Sequence, residues 1–410
     1  MSNPLQLSIV TFSKGAYITV EGKQNADQFY IVRTGKVQIS KEVQVVSEEG
    51  GNILNPGDFF GVVSTMSGHS HIETAQAITD VSLIAVHRDK FDLLIERNTP
   101  VAMKIIETFS RQLRHLDEAL GRLTQKTLKA DSDASHLFII AEFYAKQNQY
   151  NLAYYSYYQY LKLLPSGENA PKARERLAKI KPYSKAVYLD GDEKNFNRVY
   201  PKDTMVFAEN MPGQELYIIQ KGTVKITKIV NNNEVMYAVL KAGDIFGEMS
   251  LIENKPRSAS VIAMEESALL AVNRENFENM IRTQPQIINR LTTTAAKRIW
   301  LMYKQLANTL ITDPVGKFWD YLMIQLEQQR VEIKRGTSFV FNFGIREIIP
   351  MVGLPPAIGN TAIVELLKNP IIKNLDNKIV CSDVDALSKQ ASFYRKMQKI
   401  ELAKRDANKR

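Results

Sequence analysis

Two short runs of this chain hold residue types that suit one kind of chemistry. Gly247-Glu248-Met249-Ser250-Leu251 is followed by Pro256-Arg257-Ser258-Ala259-Ser260. A small phosphorylated ligand needs what these residues supply. Gly247 lets the backbone approach closely and opens a short helix whose free N–H groups favour an anion. Arg257 brings a permanent positive charge in a fork that matches two phosphate oxygens. Glu248 is an acceptor suited to a ribose 2′-hydroxyl. Ser258 and the N–H of Ala259 add donors. A buried Glu beside a buried Arg is costly alone, and each offsets the other. The candidate binding residues are therefore Gly247, Glu248, Met249, Ser250, Arg257, Ser258 and Ala259. No nucleophile–base pair, metal set or P-loop stands out in the sequence, so the chain is not expected to be an enzyme.

These runs lie inside a repeat. GDFFGVVSTMSGHSHIETAQA, from Gly57, aligns without a gap with GDIFGEMSLIENKPRSASVIA, from Gly243. Upstream, Gln28–Ser40 aligns with Glu215–Thr227. One module of about 120 residues thus occurs twice, near 5–125 and 192–310. In each copy β-favouring residues are punctuated by glycines about 21 residues apart, Gly35 and Gly57, then Gly222 and Gly243. Short strands with regular glycine turns predict an all-β roll. Each copy ends in a stretch with apolar residues at three- and four-residue spacing, which predicts a long helix.

F-G-E-x-x-L followed by P-R-S-A-S resembles the phosphate-binding cassette of cyclic nucleotide-binding domains. That family includes bacterial cAMP receptor proteins, regulatory subunits of the cAMP-dependent kinase and cyclic nucleotide-gated channels. The resemblance implies that Gly247 and Glu248 hold the ribose while Arg257, Ser258 and Ala259 hold the cyclic phosphate. It implies further that the base meets the long C-terminal helix, roughly 284–310, where Arg298, Met302 and Tyr303 are candidates. The Ser258 setting favours cAMP over cGMP. The first copy departs from the pattern: Val62 stands at the Glu248 position, His71 at the Arg257 position and Glu73 at the Ala259 position. Val62 cannot accept a ribose hydroxyl, a neutral His is a poor substitute for Arg, and Glu73 repels an anion. The first copy is not expected to bind a cyclic nucleotide by the family mechanism. It is expected to keep its fold as a packing or dimer partner, with a different ligand as the alternative.

Between the copies, Leu137, Ile140, Ala141, Tyr144, Ala153, Tyr157 and Pro165 fit the tetratricopeptide pattern, with Tyr160 where a small residue is usual. One such repeat is too short for a solenoid. It reads as a structural helical hairpin, with a protein-binding role as the alternative. After Ile311 the order is helix, strand, two helices joined by a Gly-Leu-Pro turn, then a hairpin, which is a winged-helix pattern. Sensor, long helix and winged helix in that order resemble the cAMP receptor protein and FNR family of transcription regulators. The segment at the recognition-helix position departs from that family's chemistry. Asn360 and Thr361 are the only polar groups in its N-terminal half, and 344–369 holds two basic residues (Arg346, Lys368) against two acidic ones (Glu347, Glu365). Base readout and phosphate neutralisation both want more. From Lys389 onward eight Lys/Arg face two acids, which reads as a frayed helix or disordered tail.

The 410 residues carry a net charge of +9, most of it in that tail. The single cysteine, Cys381, excludes an internal disulfide, and the five histidines lack zinc-site spacing. No apolar run approaches the roughly 18–20 residues of a membrane helix, and the N-terminus has no signal-peptide pattern. A cytoplasmic α+β multidomain protein is expected, with no metal, no cofactor and no membrane partner. It divides into a degenerate cyclic nucleotide-binding-like β-roll (1–125), a tetratricopeptide-like linker (126–185), a cyclic nucleotide-binding β-roll of jelly-roll type with its long helix (186–310), a winged-helix-like domain (311–388) and a basic tail (389–410). The expected function is a cAMP-binding transcription regulator. The alternative is a cyclic nucleotide-binding regulator of a protein partner without sequence-specific DNA binding. DNA, a protein partner at the hairpin, and homodimer or pseudo-dimeric monomer all stay open.

Overall fold

The computed structural model describes residues 8–24, 26–42, 52–124, 134–185, 195–230 and 233–407. The boundary expected at 125/126 and the last three residues of the basic tail lie outside the described residues, and the boundary expected at 185/186 borders such a stretch. The described helices are α1 (Val62–Ser67), α2 (Phe91–Arg97), α3 (Thr99–Thr124), α4 (His136–Lys146), α5 (Tyr150–Leu163), α6 (Ala170–Ile180), α7 (Glu248–Glu253), α8 (Arg274–Thr283), α9 (Pro285–Leu310), α10 (Pro314–Gln328), α11 (Ile345–Met351), α12 (Pro356–Leu367) and α13 (Val384–Ala407).

Each sequence repeat folds into a pair of antiparallel four-stranded sheets with the same strand order. In the first copy Ser8–Phe12, Val81–His87, Gln28–Thr34 and Phe59–Phe60 form one sheet; Tyr17–Thr19, Thr74–Ala77, Val37–Ser40 and Ile53–Leu54 form the other. In the second copy Asn197–Tyr200, Ser267–Asn273, Glu215–Lys221 and Ile245–Phe246 match the first set. Met205–Phe207, Ser260–Ala263, Thr223–Val230 and Asn233–Lys241 match the second. Alternating side chains fill each roll: Val32, Val37, Ala75 and Leu83 in the first; Ile219, Val224, Ala263 and Leu269 in the second.

The described chain divides into two units. One is built from Asp89–Ala295, the other from the described parts of Leu7–Arg88 and Ala296–Arg410. The sequence-ordered domains do not map onto these units. The helix that trails the first roll, α3, belongs with the second roll. The later part of α9, which trails the second roll, belongs with the first.

In the unit holding the second roll, α4, α5 and α6 share one core with Met205, Ala208, Ile229 and Ile262 of that roll. The hairpin is thus an integral wall of the second roll. Two of its buried tyrosines also bond to the roll through their hydroxyls: Tyr155 donates to the Val206 carbonyl at 3.3 Å and Tyr144 to Glu234 at 3.1 Å.

In the other unit the C-terminal elements close around Phe318, Trp319, Leu322, Phe341, Ile348, Ile363, Ile379, Leu387 and Ala391. Strands Phe339–Val340, Lys378–Cys381 and Ile372–Leu375 form a small antiparallel sheet in that order. The expectation of a frayed or disordered tail from Lys389 is corrected here. α13 is continuous through that point, with Ala391 buried and Tyr394 partly buried against the core. Arg395 pairs with buried Asp320 of α10, which also accepts from Asn308 at 2.8 Å. Lys389, Lys396, Lys399 and Lys404 are exposed, while Leu387, Ala391 and Tyr394 pack on the core. Among the described residues no helix is long and apolar enough to cross a membrane.

Candidate nucleotide site of the second roll

Gly247 sits at φ +80° as the cap before α7, a conformation that a residue with Cβ adopts only at a cost. It turns the chain out of strand Ile245–Phe246, so that Glu248, Met249, Ser250 and Leu251 enter the protein fully buried. Glu248 is 3% exposed and Arg257 is 5% exposed. Both oppositely charged side chains singled out in the sequence are thus inside, and Glu248 lies near enough to favour the charged form of Arg257.

The Arg257 backbone is fixed on both sides. Its N–H donates to the Met211 carbonyl at 2.8 Å and its carbonyl accepts from the Asn210 N–H at 2.9 Å. The guanidinium Nη1 donates to the Gly247 carbonyl at 2.8 Å and to Ser250 Oγ at 2.6 Å. The Cζ lies 4.1 Å from the centroid of the Phe207 ring, a favourable cation–π distance. Tyr217 and Phe246, stacked at 5.3 Å, extend this aromatic floor. Nε is buried and has no hydrogen-bond partner among the described residues. Burial lowers the Arg257 pKa, opposed by Tyr217, Glu215, Tyr155 and Glu248, and its ordinary value is high enough to leave it charged. A buried cation with an unused donor has spare capacity for an anion. Ser258 donates from Oγ to the Met249 sulfur at 3.7 Å, and Ala259 packs on the core of the roll.

Three residues at this site, Gly213, Phe207 and Tyr217, escape a sequence reading, as does Arg114 at the far end of α7 from it. Gly213 lies so close to Arg257 that a Cβ there would overlap Nε and Cζ, and would come 2.6 Å from Ser250 Oγ. The Pro-Gly pair at 212–213 signals a turn but not this proximity. Phe207 and Tyr217 read as ordinary strand residues. Arg114 of α3 donates from Nε to Glu253 Oε2 at 2.9 Å.

The long helix expected to cover the second site does something else in its later part. Trp300 stacks on His69 of the first roll at 4.2 Å and donates from Nε1 to the Ser70 carbonyl at 3.3 Å. Tyr303 donates to Glu21 Oε1 at 2.9 Å. Within the unit of the second roll it is α3 that meets α7.

The first roll shows what the three departures do. Its α1 is capped by Gly61 at φ +80°, as α7 is by Gly247. His71 is fixed as Arg257 is: its N–H donates to the Lys23 carbonyl at 2.9 Å and its carbonyl accepts from Gly22 at 2.7 Å. Burial lowers the His71 pKa, so the imidazole is neutral near pH 7. Val62 is buried. The Glu73 carboxylate turns back onto the N-terminal end of α1.

The family model of the cyclic nucleotide-binding domain matches residues 9–98 and 197–284. The CRP-like cAMP-activated global transcriptional regulator of Mycobacterium tuberculosis is 28% identical over 195 residues, 47% of this chain and 86% of that protein. The cyclic AMP receptor protein of Thermus thermophilus is 36% identical over 103 residues, 25% of this chain and 48% of that protein. Among solved structures, a CooA mutant from Carboxydothermus hydrogenoformans is 18% identical with a TM-score of 0.38, over 48% of this chain and 87% of that one. The family model thus matches this chain twice, once in each roll, and the chain resembles the cAMP-activated regulators named above.

Proposed function

We propose that the second roll binds a cyclic nucleotide, with cAMP preferred to cGMP, and that the chain is a regulator whose output depends on that ligand. The observation that carries this reading is the buried Arg257 guanidinium, with Nε unpartnered, beside buried Glu248 at the start of α7. Gly247 and Glu248 take the ribose; Arg257, Ser258 and the Ala259 N–H take the phosphate; Met249 and Ser250 line the turn. An arriving phosphate competes with the Gly247 carbonyl and Ser250 Oγ for the guanidinium. An ionised oxygen is the stronger acceptor, so binding reorients Arg257 and loosens its hold on α7. The ligand biases the protein only by its differential affinity for the two arrangements. The Mycobacterium tuberculosis relative is a transcriptional regulator, which favours DNA as the output partner of a winged-helix module at 311–388.

One observation favours the second reading, control of a protein partner. The outward face of α12 presents Ala357, Ile358, Asn360, Thr361 and Val364, and its Lys368 is paired with Glu365 at 2.6 Å. An apolar, charge-balanced helix suits a protein surface better than a major groove. Calorimetry with cAMP, cGMP and a cyclic dinucleotide tests the ligand. Mobility shift on genomic fragments, with and without cAMP, tests the output. Absence of heat with all three ligands contradicts the sensing function. A cAMP-independent lack of DNA binding selects the protein-partner reading.

A further inference from the structure

We propose that Arg114 of α3 is a positioning residue that passes occupancy of the second roll's site to the helix trailing the first roll; this rests on the reading that the second roll binds a cyclic nucleotide. Arg114 grips both ends of the turn leading into Arg257. Its Nε donates to Glu253 Oε2 at 2.9 Å, and its Nη1 and Nη2 lie 3.4 and 3.5 Å from the Pro256 carbonyl. Glu253 is the last residue of α7, and Pro256 immediately precedes Arg257. Between them Asn254 holds a left-handed conformation at φ +52°, so the turn has a defined shape.

The pair is well shielded, with side-chain exposures of 13% for Arg114 and 7% for Glu253. A charge pair with little water around it holds its geometry better than a surface pair.

A second tie lies one turn along the same face of α3. Asp117 Oδ2 meets Lys228 Nζ at 2.6 Å, and the same Nζ lies 3.4 Å from Glu209 Oε1. Glu209 precedes Asn210, whose N–H donates to the Arg257 carbonyl at 2.9 Å. The Glu209 N–H itself donates to Ser260 Oγ at 2.9 Å. Both backbone flanks of Arg257 are thus tied to α3, one through Arg114 and one through Asp117. Reorienting Arg257 toward a phosphate changes what holds the start of α7. The end of α7 and the turn after it cannot move without carrying or breaking the Arg114 contacts. A residue that merely supported the fold would change stability or affinity. A coupling residue changes how α3 responds to ligand.

The test uses the full chain. Hydrogen exchange across α3 is measured with and without saturating cAMP, alongside calorimetry with cAMP, for wild type, Arg114→Lys and Arg114→Ala. In wild type, cAMP is expected to change exchange in α3 by about tenfold or more. Arg114→Ala is expected to bind cAMP within about threefold of wild type and to lose the response in α3. Arg114→Lys, which keeps the charge but not the fork, is expected to fall between. A ligand response in Arg114→Ala equal to that of wild type overturns the proposal. Should Arg114→Ala fail to fold, Glu253→Gln decides by the same two outcomes. No heat of binding in wild type overturns the nucleotide reading itself, and the proposal with it.

Discussion

The Glu73 carboxylate accepts a hydrogen bond from the Gly61 N–H at 2.7 Å. In the second roll the aligned residue is Ala259, which has no side-chain acceptor to place there. The first roll thus holds one of its own acids against the turn that opens its cassette helix, with a neutral imidazole where the other roll has a guanidinium.

One nucleotide per chain is the expected stoichiometry. Glu73→Ala alone leaves it at one, because Val62 and His71 still supply neither the acceptor nor the charge. The same change removes a charge-assisted bond and is expected to cost about 1.5–3 kcal/mol of stability. Calorimetry and thermal melts read the two effects separately. Two sites in wild type would contradict this assignment.

Gly213→Ala probes the second site without removing any polar group. The added methyl would overlap the Arg257 guanidinium and crowd Ser250 Oγ. The side chain of Arg257 has to shift, and a cost of about 1.4 kcal/mol or more is a tenfold loss in affinity. The first roll, far along the chain, is untouched. Unchanged affinity for cAMP in this variant would show that the crowded Arg257 position is not the one used in binding.

Acid should weaken the fold through the first roll. Burial, with Arg330 and Lys297 nearby, holds the His69 imidazole at about 4, below the ordinary 6.5. The unfolded chain takes up this proton as pH falls through 6.5, whereas the folded chain resists until about 4. Stability is therefore full above 6.5 and is lost as pH falls toward 4, by on the order of 3 kcal/mol for this group. His71, also lowered by burial, adds with the same sign. Glu21, raised by burial, acts with the opposite sign over its own acid range. His69→Gln should flatten the acid limb of the stability profile. Denaturant melts from pH 7 to pH 4 check it, and parallel profiles for variant and wild type would count against the assignment.

The basic C-terminal segment should behave as structure. Arg395→Ala leaves Asp320 buried beside Asn308 without its charged partner. Breaking a buried pair costs about 3–5 kcal/mol, and the partial exposure of Arg395 argues for the low end, about 3 kcal/mol. Truncation at 389 should be at least as damaging, because it also removes Ala391 and Tyr394 from the core. Thermal melts suffice as the readout. A wild-type melting temperature in either variant would mean that this seam adds nothing.

The cassette was legible because its parts are contiguous: a glycine that must turn, a helix start, and an arginine nine residues after the glutamate all sit in one stretch. The twin rolls followed from self-alignment, which needs no energetics. The aromatic floor, Gly213 and the Arg114 contacts were not legible, since each is made across a long stretch of chain; Arg114 and Glu253 are 139 residues apart. Nor does periodicity say which roll a trailing helix will cover, since α3 and α9 offer apolar faces to either. In the last segment eight cations masked the buried seam at Leu387, Ala391 and Tyr394. Composition averages over faces, whereas burial depends on one face only.

Titration calorimetry of cAMP into wild type and Arg257→Ala tests the central claim most directly. Wild type is expected to bind at one site. The variant, which loses charge-assisted bonds worth about 1.5–3 kcal/mol each, is expected to bind at least about tenfold and up to a hundredfold or more weaker. Equal affinity in the two proteins would contradict the assignment of Arg257 as the phosphate-binding group.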